Sequence, residues 1–419
     1  TLITLPGAAD GSRIYLLPGA VPVRQALLLG VPANVLLLGV VSLLTDLSSE
    51  MTLTLLPLFL LNVLGTSYTM IGVIEGVADS TSTLLRILSG YWSDRVKKRK
   101  PLTLLGYGLS SLMKPLLFFA TNLSLVFAVR FADRVGKGIR SAPRDALLAD
   151  SAPIAIRGRS FGLHRAMDSY GAVLGLSIAA LVVYLTQQGA VELARPSYQK
   201  LVLVGMVPAF LAVAVLHFLV REAPQQSHLP HPAAQAAKGG FDLKFKVFLG
   251  IMVAFTLGSF SDAFIILRAQ EVGLSTFHIL LVLVAFNIVY ATLALPAGAL
   301  SDRWGRRRVI AIGWLAYGLI YLGFAFAGSS LEVVLLFVLY GLYYGATEGV
   351  ARAYVADLVP AEKRGAAFGL YHGVVGVTAL PASVLAGFLW QSVGPQAPFL
   401  FGAGLAGIAT LGLLLLIKS

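Results

Sequence analysis

The chain has 419 residues, 57% of them hydrophobic and only 12% charged, with a net charge of +12 and a mean hydropathy of +0.82. Soluble domains carry about a quarter charged residues, so a water-facing globular surface is excluded, and the absence of cysteine excludes disulfides and thiolate metal sites. The basic excess does not point to nucleic acid, because Lys and Arg fall in short loops between apolar runs.

Those runs reach the roughly 20 residues needed to cross about 30 Å of hydrocarbon. The sequence predicts an all-α membrane protein with spans at 34–62, 68–92, 101–121, 123–149, 158–187 and 199–220, and a second set at 245–269, 276–301, 308–328, 331–357, 364–391 and 396–417. Residues 1–33 are expected to form an N-terminal cytoplasmic segment, since a basic start, clean apolar core and small-residue cleavage site are missing. Residues 34–220 form one predicted six-helix bundle, 221–243 a cytoplasmic linker rich in Pro, Gln and Ala, and 244–419 a second bundle. His228 and His231 in the linker are not expected to bind metal.

An ionisable side chain near the bilayer centre costs about 2.5–3.5 kcal/mol on insertion scales, so each such residue marks a site unless it is paired. Span one carries Asp46 and Glu50 one turn apart, hence on one face, a pairing that suits reversible protonation or a metal cation. Span two carries Glu75 and Asp79 on a shared face, with Arg86 expected nearer the loop. In span four Arg130, Arg134, Lys137, Arg140 and Arg144 recur at steps of four, three, three and four, one helical stripe with Asp133 beside it. Such a stripe must face inward. It either binds an anion through bidentate guanidinium contacts or pairs with Asp46, Glu50, Asp79 and Asp168. Pairing is the favoured expectation for most members, while Arg144 and Asp145 are expected near the membrane surface. Span five opens with His164, Arg165 and Asp168; a carboxylate one turn from an imidazole suits a proton relay. The second set is sparser: Asp262 and Arg268 in span seven, Asn287 and Tyr290 in span eight, Glu348 and Arg352 spaced for a same-helix pair in span ten, Tyr371 and His372 in span eleven. Gly171/Gly175 and Gly341/Gly345/Gly349 are expected to permit close helix approach.

The two sets repeat. Ser93-Asp94-Arg95 matches Ser301-Asp302-Arg303, Ala149-Asp150 matches Ala356-Asp357, and Arg157-Gly158-x-x-Phe161-Gly162-Leu163 matches Arg364-Gly365-x-x-Phe368-Gly369-Leu370 at a nearly constant offset. Parallel repeats about an axis along the membrane normal place a site between the halves. With the N-terminus inside, Arg95, Lys97–Lys100, Arg303 and Arg306–Arg308 all fall on cytoplasmic loops, as the positive-inside rule requires. Arg195, Lys200 and Arg268 are the outer exceptions. Both termini are therefore expected in the cytoplasm.

The loop Gly298-Ala-Leu-Ser-Asp302-Arg303-Trp-Gly305-Arg306-Arg307 resembles the loop signature of the major facilitator superfamily. Gly90-Tyr-Trp-Ser-Asp94-Arg95-Val-Lys97-Lys98-Arg99 matches it except that Lys97 replaces glycine. The resemblance implies the major facilitator fold, twelve transmembrane helices in a 6+6 pseudo-repeat, in the cytoplasmic (inner) membrane. It also implies a conformational latch at Gly90, Asp94, Arg95, Gly298, Asp302 and Arg303, and a central cavity lined by span one. Lys98, Arg99, Arg307 and Arg308 are expected only to set topology. Thr45-Asp46-Leu-Ser-Ser-Glu50-Met, Asp133-Arg134-Val-Gly136-Lys137-Gly138-Ile-Arg140 and Ala142-Pro143-Arg144-Asp145 are similar to a bacterial efflux-permease group, some of whose members are linked to nickel or drug resistance. The chain departs from the antiporter pattern in span four, where Asp133 and Arg134 follow Arg130, and in span five, which has Gly171-x-x-x-Gly175 where Gly-Pro is usual.

Together these features predict a secondary active transporter that moves a small solute by alternating access, as proton-coupled efflux. Coupling is expected at Asp46, Glu50, His164 and Asp168, and the substrate cavity at Asp79, Arg130, Arg134, Asp262, Asn287, Tyr290, Glu348 and Tyr371. The alternatives are a carrier of metal cations or metal chelates, for which Asp46 and Glu50 are the candidate ligands, and a carrier of an organic or phosphorylated anion. No cofactor, no nucleic acid and no partner chain are expected. The lack of a P-loop argues against an ATP-driven pump, and His164 with Asp168 lacks the nucleophile that a membrane enzyme needs.

Overall fold

The structure is a computed structural model that describes residues 27–28, 31–96, 98–153, 156–187, 190–223, 241–360 and 364–417; of these, the side chains of 27–28, 94, 157–158, 294–302 and 364–366 lie outside the description. The predicted linker histidines and most of the N-terminal segment therefore also lie outside it.

Twelve helical spans follow one another close to the predicted limits. The first is α1 (Ala33–Thr52) and α2 (Leu56–Asn62), with Pro57 in the first turn of α2, where its missing N–H costs nothing. Next come α3 (Tyr68–Val96) and α4 (Arg99–Met113), the latter continuing as a 3-10 turn over Lys114–Phe119. Then follow α5 (Leu123–Ser151), α6 (Arg157–Gln187) and α7 (Arg195–Ala214), which ends in a π turn. The second set is α8 (Leu243–Gly258) with α9 (Ala263–Glu271), then α10 (Thr276–Trp304), α11 (Arg306–Phe326), α12 (Ser330–Asp357), α13 (Arg364–Ser392) and α14 (Gln396–Leu416). A short antiparallel pairing of Leu27–Leu28 with Val31–Pro32 precedes α1. Among the described residues ten spans are long and apolar enough to cross a membrane on composition alone. The two that fall short, α3 and α5, hold the polar face of the central cavity.

Within the first half α1 packs on α6 and α7, and α5 on α3 and α4; within the second, α10 packs on α12, and α14 on α8 and α11. Lipid offers no hydrophobic drive for these contacts, so small residues let the backbones meet. A Cβ added at Gly171 would lie 2.4 Å from the Leu43 carbonyl oxygen, and one at Gly175 2.6 Å from that of Leu47. Gly341 likewise closes on Phe286, but Gly349 faces open space and does not extend the series.

The repeat is legible in matching ion pairs. Arg99 at the start of α4 binds Asp150 at the end of α5 at 2.6 Å, and Arg306 at the start of α11 binds Asp357 at the end of α12 at 2.7 Å. Arg99 thus does more than set topology: it is buried and ties two helices of its own half. Arg307 donates to the carbonyls of Leu413 and Leu414, where α14 ends, another role beyond topology. Arg268 is not an outer-loop charge either; it is buried, pairs with Glu271 at 2.8 Å, and donates to the Phe324 and Ala327 carbonyls at the C-terminal end of α11. Cations suit both places, since orphan carbonyls give a helix C-terminus its negative end.

The halves meet along two seams, α3 with α13 and α6 with α10. At the end of the bundle away from the basic loops the seal is tight. The Tyr68 ring stacks on Trp390 at 4.9 Å, the Tyr68 amide donates to Gln391 Oε1, and Thr69 donates to the Gly387 carbonyl. Nearby, the Val191 carbonyl accepts from Gln270 and from the amide and hydroxyl of Thr276.

Candidate functional site

Two joined cavities lie between the halves. The smaller, about 340 Å³, sits next to the sealed end and reaches Leu53, Thr54 and Pro57 at the α1–α2 break. The larger, about 820 Å³, widens toward the basic-loop end and reaches Arg86, Arg144, Arg352 and His372. Their shared wall contains Asp46, Asp79, Arg134, Lys137, Arg140, Ser261 and Asp262. Ligand sites of a few hundred Å³ between helices are the common pattern.

The first-half wall is almost wholly polar. It presents Asp46, Glu50, Glu75, Asp79, Asp133, Asp145 and Asp168 against Arg86, Arg130, Arg134, Lys137, Arg140, Arg144 and Arg165, so its formal charges cancel. The stripe on α5 faces inward, and most of its members are paired, though not all with the expected acids. Arg130 donates to Glu75 at 2.6 Å, both groups buried. Arg134 lies 4.0 Å from Asp79, and Arg144 binds its neighbour Asp145 at 2.8 Å. Arg140 lies over the Tyr107 ring at 4.4 Å, a cation–π contact. Asp46 and Glu50 do not pair with the stripe: among the described residues neither has a basic group within 4.0 Å, and Glu50 accepts a hydrogen bond from Thr54 at 2.5 Å. Arg86, Arg144 and Asp145 line the larger cavity.

Asp168 also serves α6. It accepts a hydrogen bond from Ser42 on α1, and its other oxygen is 3.8 Å from His164 Nδ1 and 3.8 Å from Arg165. Asp168 lines the cavity, whereas His164 is buried behind it with no hydrogen-bond partner at Nε2 among the described residues. The one-turn spacing thus brings the two side by side. Lys114 was missed in the sequence. Its fully buried ammonium donates to Ser48 and Ser49 beside Asp46, at 3.3 and 2.7 Å. A lysine in mid-span next to Pro115 was the available signal.

The second-half wall mixes aromatic rings with polar and aliphatic side chains. Phe255, Phe260, Trp314, Tyr343, Tyr344 and Tyr371 line the larger cavity and Phe286 the smaller, whereas among the described residues no aromatic of the first half lines either. Phe255 stacks on Trp314 at 4.6 Å, and Tyr344 meets the edge of Tyr340 at 5.0 Å. Asp262 stands at the α8–α9 break, where its Oδ1 accepts from the Tyr340 hydroxyl at 2.7 Å. Asn287 lines the smaller cavity and donates to the Leu283 carbonyl one turn back. Tyr340, Tyr343 and Tyr344 lie on one helix at steps of three and one, a cluster visible in the sequence and passed over.

Tyr290 and Glu348 do not stand free on the wall. Arg165 donates to the Tyr290 hydroxyl at 2.8 Å, Tyr290 donates to Glu348 at 2.6 Å, and Glu348 binds Arg352 as its spacing predicted. This chain crosses from α6 to α10 and α12, joining the halves beside the wide part of the cavity. Of the latch residues, Gly90 packs against Ala142, Arg95 lies over the Tyr91 ring at 4.5 Å, and Arg303 is exposed. The side chains of Asp94, Gly298 and Asp302 lie outside the described residues. Among those residues no cluster of three or more His, Cys, Asp or Glu side chains is placed to hold a metal.

The chain is similar to several known proteins. A chain similar over 391 residues at 40% identity, covering 91% of this chain and 94% of its own length, is an uncharacterised MFS-type transporter of Methanocaldococcus jannaschii. The class E tetracycline resistance protein of Escherichia coli is 36% identical over 136 residues, 32% of each chain. Among solved structures the nucleoside transporter NupG superposes with a TM-score of 0.76 at 14% identity over 92% of this chain and all of its own; that likeness is one of fold. The family model described as Major Facilitator Superfamily matches residues 38–244 and 247–419, and the chain belongs to that superfamily of membrane transporters.

Proposed function

We propose that the protein is a secondary active transporter of the cytoplasmic membrane that exports a small organic solute in exchange for protons by alternating access. The observation that carries this reading is a charged cavity between two repeated bundles, sealed at one end by the α3–α13 and α6–α10 contacts and widening toward the other. Ionised groups within membrane helices are held by pairing or by a water-reachable passage, and a cavity with this many of them fits such a passage. The basic loops put the wide end at the cytoplasm by the positive-inside rule, so this is the inward-facing state. The partial likeness to the tetracycline resistance protein, and to a tetracenomycin C resistance and export protein of Streptomyces glaucescens at 29% identity over 133 residues, favours export.

Asp46 is the coupling carboxylate in this scheme. It lines both cavities, has no basic partner within 4.0 Å among the described residues, and stands one turn from Glu50. Asp168 assists, with His164 behind it. The residues of the loops between α3 and α4 and between α10 and α11 serve as the latch, a carboxylate there being able to bind a helix N-terminus or an arginine. The α5 arginines are spent largely on carboxylates, which disfavours an anion carrier. A thermal-shift screen of purified protein across drugs, metals and anions identifies a ligand, since binding to the native state raises its stability. With that ligand in proteoliposomes, Asp46→Asn is expected to abolish accumulation driven by a pH gradient while leaving exchange without a gradient intact. Gradient-driven flux that survives the substitution removes Asp46 from coupling; a wild-type flux blind to the gradient rejects proton exchange.

A further inference from the structure

The two walls of the cavity differ in kind, and three groups at their junction are left open. Lys137 is one. Its neighbours on the α5 stripe are engaged, Arg134 with Asp79 and Arg140 on the Tyr107 ring. The Lys137 ammonium lines both cavities yet makes no hydrogen bond or ion pair among the described residues. Asp262 is the second. One oxygen accepts from Tyr340 and the other has no partner among the described residues, on the wall that also carries the rings of Phe255, Phe260, Tyr343 and Tyr344. Asp46, assigned to the proton, is the third. A solute that satisfies both remaining groups carries both a cation and an anion. The aromatic wall adds the third requirement, a flat apolar body that stacks on tyrosine and phenylalanine, with its cation also favoured by the ring faces beside Asp262.

We infer that the cavity takes an aromatic zwitterion, its ring against the second-half wall, its ammonium at Asp262 and its anionic group at Lys137. This rests on the transporter reading of the same cavity and names its substrate class. A zwitterion also fits the cancelled charge of the first-half wall, where a solute of single sign would leave either Lys137 or Asp262 without a partner, at the cost of an unmet buried charge.

The test is a matched series on one ring: L-tryptophan, tryptamine, indole-3-propionate and indole, titrated against the full chain in lipid nanodiscs by calorimetry. L-Tryptophan is expected to bind about tenfold or more tighter than each of the other three, the value of one charged hydrogen bond. Asp262→Asn should erase its advantage over indole-3-propionate, and Lys137→Gln its advantage over tryptamine; Lys137→Arg should keep the latter. Indole affinity unchanged in every variant shows that the fold is intact. Tryptamine equal to L-tryptophan in the wild type overturns the proposal in favour of a cation site, indole-3-propionate equal to it in favour of an anion site, and no preference or no binding across the series rejects the class. Flux of any member into proteoliposomes keeps transport standing if the zwitterion preference fails. The preference without flux of L-tryptophan keeps the recognition and rejects transport.

Discussion

Glu75→Gln is expected to destabilise the protein by about 3–5 kcal/mol, the scale for removing one partner of a buried ion pair. Arg130 is only 5% exposed, Glu75 is 3% exposed, and their 2.6 Å contact is the one side-chain hydrogen bond that Arg130 makes, since its Nε and Nη1 find no partner among the described residues. Arginine cannot escape by losing its proton, so the substitution leaves a full charge inside α5. Removing both charges, as in Glu75→Gln with Arg130→Met, should recover most of the loss, because a buried pair is worth far less than the penalty for breaking it. Glu348→Gln is the contrast. Its pair with Arg352 is about half exposed on the arginine side and more than a third on the glutamate side, and such pairs are worth about 0–1 kcal/mol. The measurement is apparent melting temperature at a fixed scan rate, since membrane-protein unfolding is seldom reversible. A Glu75→Gln protein that melts with the parent, or a double variant no better than the single, refutes the assignment.

The spans were legible in the sequence because the constraint behind them is blunt: a bilayer demands about 20 apolar residues at a time. Even α3 and α5, too charged to pass on average composition, show apolar runs long enough to place at 68–92 and 123–149. The breaks within spans were not read, although Pro57 beside the α1–α2 break and Pro115 beside Lys114 announce two of them. The α8–α9 break, which sets Asp262 on the cavity wall, has no proline. Residue pairs within one helix could be read from spacing, as Glu348 with Arg352 and His164 with Asp168 show. Pairs between helices could not. Periodicity says that Arg130 faces inward, but whether it meets Glu75 or Asp46 depends on helix rotation and on the reach of a long side chain, which no single segment encodes. The repeat offset did carry one such pair, for the matched Asp150 and Asp357 have matched partners in Arg99 and Arg306. The aromatic wall went unread for a different reason. Tyrosine in a membrane helix is ordinarily packing, and only the juxtaposition of α8, α11, α12 and α13 turns these rings toward a common space.

A Cβ at Gly72 should shift the protein out of its present conformation without unfolding either half. Gly72 lies on α3 in the seam between the halves, and an added Cβ would fall 2.2 Å from the Ser383 carbonyl oxygen of α13; at Gly387 it would fall 2.4 Å from that of Tyr68. Backbone cannot yield by that much, and overpacking of this kind costs about 1–3 kcal/mol. In the proposed alternating cycle the clash exists only while the halves touch at this end, so the cost falls on one of its two states. A bias of that size changes the ratio of the two states by about 5- to 150-fold. Gly171→Val carries the same steric fault against Leu43, but α1 and α6 belong to one half and stay together in both states, so it should lower stability and leave the ratio unchanged. The chain has no cysteine, so paired cysteines at Ser67 and Ser392, both exposed at the sealed end, accept spin labels without background. In Gly72→Val the label distance should move to a longer population with the melting temperature nearly kept, and in Gly171→Val the distance should hold while the melting temperature falls. An unchanged distance in Gly72→Val would mean that the α3–α13 contact does not open, and would count against the proposed alternation around this seam.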